Sequence, residues 1–258
     1  MKLESVCLVM TACISPPAQV INLCVKVMVF RKQQYIEAIC FYIEKTEVKD
    51  IVFCDNSAQP VNEMLCRRAK EKRKNFEWLS FQGDYQKVEE LGKGYGEGEI
   101  LEYVVNNSKL LKKCNYMAKI TGRLKLLNIN AVLRLLSTSA FHFRSYLHED
   151  NGLFVDTRFF VARIDHFRGE LVDVYKKVND SIGFYYEYAI ASRVQEKGIM
   201  YRNFPLALNM AGESGSTGYS YHWTWKMLVK KSIPLFAYYF FHLGNPYSAN
   251  GKSGEELV

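Results

Sequence analysis

The chain has 258 residues, 48% of them hydrophobic, with 34 basic against 27 acidic side chains and a formal charge of +7. That apolar content excludes a disordered chain and suits one large domain, or one domain with an appendage. The charge excess is modest for the length: it does not demand a nucleic-acid partner and is equally compatible with membrane phosphates or a charged small substrate.

The opening MKLESVCLVMTAC superficially resembles a lipoprotein signal ending at Cys13. Its apolar run over 6–10 is short for such a core, Glu4 interrupts the flank and one lysine precedes it. A buried first strand accounts for the same residues better: SVCLVMTA (5–12) is a continuous apolar run ending in ISPP, as parallel strands do when both faces are covered. A helix follows over 31–45, with apolar residues at 35, 36, 39 and 43. A second strand at DIVFCDNS (50–57), a second helix at 61–74 and a third strand at NFEWLSF (75–81) complete the rhythm of a doubly wound α/β half-domain. In such sheets ligands sit beyond the carboxyl ends of the strands, so ISPP, DNS and the loop after FQGD become the candidate nucleotide site.

The stretch LGKGYGEGEI (91–100) carries glycines at 92, 94, 96 and 98. A dinucleotide fingerprint fails because Glu97 and Glu99 stand where its last glycine belongs, and a P-loop fails because Glu99-Ile100 replaces the Lys-Ser or Lys-Thr pair. What remains is a flexible stretch opening into a helix over 100–113, whose first amides attract an anion; a mobile surface loop with an acidic helix cap is the other reading. A strand within 115–128 runs into Thr121-Gly122-Arg123, two strands of a mixed sheet edge follow at 141–147 and 153–164, and two helices at 165–180 and 185–198. AGESGSTGYS (211–220) reads as a linker separating a domain at 1–210 from an appendage at 211–258. Within the appendage, 222–244 combines two tryptophans, three lysines and an aromatic cluster around Pro234. It is too interrupted to span a membrane; it suits a helix in the membrane interface or one packed on the domain.

Hydrolase signatures are missing: there is no G-x-S-x-G or HExxH, and five histidines lie scattered without metal-ligand spacing. Seven cysteines, at 7, 13, 24, 40, 54, 66 and 114, form an odd set without a C-x-x-C pair. This argues against a disulfide framework or zinc knuckle and for a reducing cytoplasm. Polar residues do collect at or beside predicted strand ends: Asp55, Lys119, Arg123, Asp156, Arg158, and Glu187 near a helix start. Lys119 with Arg123 suits a diphosphate, and a carboxylate at 156 or 187 suits a general base or a sugar hydroxyl. The bland reading of each is a surface ion pair.

The set TACISPP, IVFCDNS, GKGYGEGEILEYVVNNS, YMAKITGRLKLLN, VDTRFFV and DSIGFYYEYAIA, spanning roughly 5–195, resembles bacterial glycosyltransferases of surface-polysaccharide (capsule or lipopolysaccharide) clusters with a GT-A-type fold. The resemblance implies an α/β architecture: a Rossmann-type central mixed, mostly parallel sheet flanked by helices, with a C-terminal helical appendage. It implies transfer of a sugar from a nucleoside-diphosphate donor, a UDP-hexose as first choice, to a glycan or lipid-linked glycan acceptor. The enzyme would be cytoplasmic or peripheral at the inner face of the cell membrane through 222–244, without a nucleic-acid partner. Ser15, Pro16, Asp55 and Asn56 would then lie near base and ribose. Lys93, Gly94, Gly96 and Glu97 would line the donor pocket, with Lys119 and Arg123 on the diphosphate. Arg158 would bind substrate, and Glu187, with Asp156 as second candidate, would act as base. One departure stands out: no Asp-x-Asp occurs, and Thr121-Gly122-Arg123 occupies its expected place. Lys119 and Arg123 would then stabilise the leaving diphosphate in place of a cation, with Asp156 in VDTRFF as the alternative if a single-carboxylate metal site is used; no metal ligand is assigned, and the use of Mg2+ or Mn2+ is open. Two other classes account for parts of the chain: a basic nucleic-acid binder using RRAKEKRK (67–74), and a non-catalytic glycosyltransferase-like scaffold.

Overall fold

The computed structural model describes residues 1–17, 27–148, 152–214, 218–221 and 223–241. Cys24 and parts of the expected linker and C-terminal segment lie outside them. Strand β1 (Val6–Ala12) is buried at all seven positions. This explains its unbroken apolar sequence, since a parallel strand covered on both faces has no polar side to show. It lies between β2 (Asp50–Asp55) and β4 (Tyr116–Thr121), parallel to both, and β3 (Asn75–Ser80) runs parallel to β2. The antiparallel β7 (Gly152–Arg163) and β6 (Phe141–His148) complete a six-stranded sheet in the order β3-β2-β1-β4-β7-β6. The expected mixed, mostly parallel α/β sheet is therefore present.

Each face has its own apolar layer. On one, Tyr35, Ile39, Tyr42 and Ile43 of α1 (Met28–Lys45) cluster with Leu8, Met10, Ile51 and Phe53. On the other, Ile100, Leu101, Val104 and Val105 of α4 (Lys93–Asn107) cluster with Val9, Val52 and Met117. The alternation along β1 assigns successive residues to opposite layers. Helix α2 (Glu63–Glu71) is capped by Asn62, whose side chain accepts from the Met64 and Leu65 amides. Helix α3 (Tyr85–Leu91), absent from the sequence reading, is capped by Asp84.

Several expectations change. The glycine stretch is no open loop: Gly92, at φ 101°, is the N-cap of α4, and Gly94, Gly96 and Gly98 are buried in its first turns. The strand expected within 115–128 ends at Thr121, followed by the short β5 (Lys125–Leu126) and helix α5 (Ile129–Leu135). The helix expected over 165–180 is a chain of short pieces: α6 (Ile164–His166), a wider turn at Phe167–Leu171 and 3-10 turns at Val174–Lys177 and Asp180–Ile182. Helix α7 (Tyr186–Lys197) stands where one was expected and stops at left-handed Gly198. The boundary expected after 210 falls inside β8 (Met210–Glu213), which pairs with β5 and with β9 (Ser220–Tyr221) in a small second sheet. The last described element is α8 (Trp225–Phe241), with Pro234 inside it.

One irregularity shapes the edge where β4 ends. In the β6–β7 ladder His142 opposes Val161 but Arg144 opposes Asp156. Residues 157 to 160 of β7 therefore bulge opposite Phe143 alone. Such bulges re-aim side chains, and this one carries Thr157 and Arg158.

Candidate active site

Thr121 at the end of β4, the bulge of β7, the start of α7 and the second turn of α4 converge beyond the carboxyl ends of the parallel strands. Lys119 is the central group. It has no exposure, and its ammonium pairs with the Glu97 carboxylate, donates to the Thr157 carbonyl at 2.6 Å and reaches Thr121 Oγ1 at 3.3 Å. A lysine is tolerated so deep only with its charge and protons matched, and these three oxygens do that.

Thr157 connects this cation to Glu187, since its hydroxyl donates to Glu187 Oε1 at 2.8 Å. Burial, and then the negative charge of Glu97, push the Glu187 carboxyl above its ordinary range, against the Thr157 hydrogen bond and the charge of Lys93. Glu187 itself is half-buried, in the first turn of α7. A carboxylate held short of partners in this way accepts a proton more readily than one on the surface. Glu97, Lys119, Thr157 and Glu187 thus form one connected set. Thr157 was not singled out by the sequence, although its place between Asp156 and Arg158 in VDTRFF marked the segment.

The remaining candidates are placed differently. Asp55 is fully buried and its oxygens are engaged by its own loop and by the loop after β1. Oδ1 accepts from the Ile14 amide at 2.8 Å, Oδ2 from the Ser57 and Gln59 amides at 2.9 and 3.2 Å, and the Ser57 hydroxyl bridges both. A ribose contact expected of Asp55 has no free acceptor to use; its work is to hold the β1 and β2 loops together. Ser15 is fixed in the same construction, its amide donating to Ser57 Oγ at 3.0 Å and its carbonyl accepting from the Tyr85 hydroxyl at 2.7 Å. Pro16, beside it, is half-buried. Asn56 is 2% exposed, with Oδ1 lacking a partner. Its amide end faces Gly83 and Gly96.

Asp156 and Arg158 occupy each other. The Asp156 carboxylate accepts from the Arg158 amide at 3.0 Å and from Nε and Nη2 at 2.9 and 2.7 Å. Burial alone would raise the Asp156 carboxyl, but the charge and hydrogen bonds of Arg158 win and hold it below the usual carboxylate range. Arg158 also lies over the Tyr221 ring, 5.1 Å from its centre. Asp156 is therefore a poor proton acceptor. Arg123, 6% exposed, donates to Gln34 Oε1 at 2.8 Å, at the turn after β4 rather than in the Lys119 set.

The glycines of α4 serve packing. A Cβ at Gly94 would come within 3.1 Å of Tyr186 Cβ and Val178 Cγ1, one at Gly96 within 3.1 Å of Val88 Cγ2, and one at Gly98 within 2.0 Å of Tyr175 Cβ. Their backbone meets protein side chains, so the phosphate-facing role expected of Gly94 and Gly96 is replaced by close helix packing. The anion at the start of α4 is the chain's own: Asp180, 5% exposed, is packed so tightly against Gly92 that a Cβ there would fall 2.2 Å from its carboxylate. Burial raises the Asp180 carboxyl, opposed by the amides of Gly94 and Lys93 and by the Lys93 charge.

A divalent cation needs converging, unpaired oxygen ligands. At the end of β4 the chain offers a hydroxyl, a glycine and two cations, and the nearest carboxylate, Glu97, is tied to Lys119. Among the described residues, no group of three or more His, Cys, Asp or Glu is placed to hold a metal ion. The residues present do not fit Mg2+ or Mn2+ as arranged.

Neither a protein-family model nor a curated protein matches the sequence. Among solved structures, a nucleotide-diphospho-sugar transferase of Desulfovibrio desulfuricans G20 is similar at 11% identity, with 78% of this chain and 79% of that one covered and a TM-score of 0.45. The glycosyltransferase GlyE of Streptococcus pneumoniae TIGR4 is similar at 9% identity over 78% of this chain and 45% of its own, with a TM-score of 0.47. A cytidylyltransferase of Leptospira borgpetersenii reaches 9% identity, 80% and 77% coverage and a TM-score of 0.41. Superpositions this partial leave the functional question to the chain's own residues.

Proposed function

We propose that the chain transfers a glycosyl group from a nucleoside-diphosphate sugar, with a UDP-linked hexose as the first candidate donor, to a hydroxyl of a growing surface glycan or lipid-linked glycan in a reducing cytoplasm. The observation that carries the reading is Glu187: a half-buried carboxyl raised by burial, given one hydroxyl partner and set beside Lys119 beyond the carboxyl ends of four parallel strands. In the transfer, the acceptor oxygen bonds to the sugar's anomeric carbon as its proton passes to Glu187. The bond from that carbon to the diphosphate oxygen breaks, and its electron pair leaves with the diphosphate. Lys119, whose ammonium reaches the Thr121 hydroxyl, supplies positive charge there, while Arg123 stays with Gln34 outside that set. Lys119 is held by Glu97 in the free chain, so the diphosphate gains it as Glu97 gives way.

A thermal-shift panel tests this directly. Nucleoside diphosphates and nucleotide sugars, with and without Mg2+ or Mn2+, should raise the melting temperature of the chain, uridine compounds most, because a ligand that binds only the native state stabilises it. Retention on nucleic acid that weakens with salt, with no shift from any nucleotide, would replace the reading with a nucleic-acid binder that uses the cations exposed on and just beyond α2. Nucleotide binding without turnover of any donor would mark a non-catalytic relative.

A further inference from the structure

Helix α8 shows two apolar faces, and the fold uses only one. Leu228 and Tyr239, at 8% and 6% exposure, point inward with Ser232, whose hydroxyl accepts from the Ala207 amide at 3.1 Å. The Tyr239 hydroxyl donates to Ser137 Oγ at 2.8 Å. On the outer side Trp225, Val229, Ile233, Phe236 and Phe240 are 75%, 38%, 63%, 39% and 43% exposed. Their spacing of four, four, three and four residues makes one continuous strip along a helix. Lys226 and Lys230, one turn apart, border that strip on its far side from the core, and Lys231 lies over the Trp223 ring at 4.5 Å. The helix has no carboxylate at all.

We infer that α8 is a membrane-surface helix, lying in the headgroup region of an anionic bilayer with its outer strip toward the acyl chains. The occupant follows from the pattern. An apolar strip bordered by lysines, with tryptophans at one end, matches a boundary where hydrocarbon meets phosphate. A second copy of α8 would bring hydrocarbon but no carboxylate for Lys226 and Lys230. No described helix is long and apolar enough to cross a membrane, so the contact is one of lying on, not spanning. The interface contact expected over 222–244 thereby acquires a defined face. The inference is independent of the transfer chemistry, because vesicle binding is measurable whether or not Glu187 is a base.

The test is flotation of the full chain with phosphatidylcholine vesicles, with and without phosphatidylglycerol. Binding should require the anionic lipid and weaken with salt. Lys226→Gln with Lys230→Gln should reduce partitioning about fivefold per lysine, corresponding to about 1 kcal/mol each. Ile233→Glu with Phe236→Glu should abolish binding. All these positions are exposed, and an unchanged melting temperature will establish that the variants are folded. The inference is overturned if the parent chain does not float, or if the Ile233/Phe236 variant floats equally well. It is also overturned if the parent is a dimer that this variant converts to a monomer without any vesicle binding.

Discussion

Asp55, the last residue of β2, and Glu187, in the first turn of α7, are both carboxylates that the sequence offers as site residues, the first near the ribose and the second as base. Their surroundings separate them. Asp55 accepts three backbone amides and a serine hydroxyl, whereas Glu187 accepts one threonine hydroxyl and sits under the charge of Glu97. A carboxylate whose lone pairs are all engaged holds structure together; one left short of donors has capacity for a substrate proton.

Substitution at the two sites should therefore fail in opposite ways. Glu187→Gln keeps the shape and removes the base, and sugar transfer should fall by about a hundredfold or more, the usual range for losing a general base. Its stability should not suffer. The folded carboxyl lies above the ordinary range, so the protein binds more protons than the unfolded chain as pH rises through that window, and Glu187 withdraws stability there. A neutral glutamine is thus neutral or mildly stabilising above the window. Asp55→Ala should instead unfold the chain more easily, by about 3 kcal/mol, since it strands buried amides of Ile14, Ser57 and Gln59. Urea unfolding and a transfer assay on the same two variants decide the matter. A Glu187→Gln enzyme with full activity, or an Asp55→Ala chain of undiminished stability, breaks the contrast.

A second contrast lies within α4. Alanine normally improves a helical glycine by about 1 kcal/mol. At Gly98 the added methyl would meet Tyr175 Cβ at 2.0 Å. Gly98→Ala should therefore cost about 1–3 kcal/mol net, as overpacking does. A more stable Gly98→Ala chain would mean that Tyr175 yields easily and that the packing account of the glycines is mistaken.

These glycines also show how far the sequence was legible. Parallel strands β1 and β2 announce themselves as apolar runs, and the helical period gives α1, so half of the sheet could be laid out in advance. Four alternating glycines read as a loop because their helix propensity is poor. What overrides propensity is the bulk of Tyr186, Val178, Val88 and Tyr175, which come from other parts of the chain and leave no local trace. The seven-residue helices α3 and α5 were missed because so short a period is hard to distinguish from a loop. The site was half legible. Lys119, Asp156 and Glu187 stand out as polar residues near strand ends or a helix start. That Asp156 is consumed by Arg158 while Glu187 is not depends on the bulge of β7, which is set by pairing register rather than by composition.

The finest test concerns Glu97, the neighbour that distinguishes the Glu187 environment most. The acid limb of kcat/KM should report the base in the free enzyme and lie above the range of an ordinary glutamate. Glu97→Gln removes a negative charge that raises Glu187 and releases Lys119 from its partner. Both changes favour the ionised form of Glu187, so the limb should move to lower pH even if the maximal rate also falls. A limb that stays in place, or moves upward, would show that the titrating base is another group and that the link from Lys119 through Thr157 to Glu187 is purely architectural.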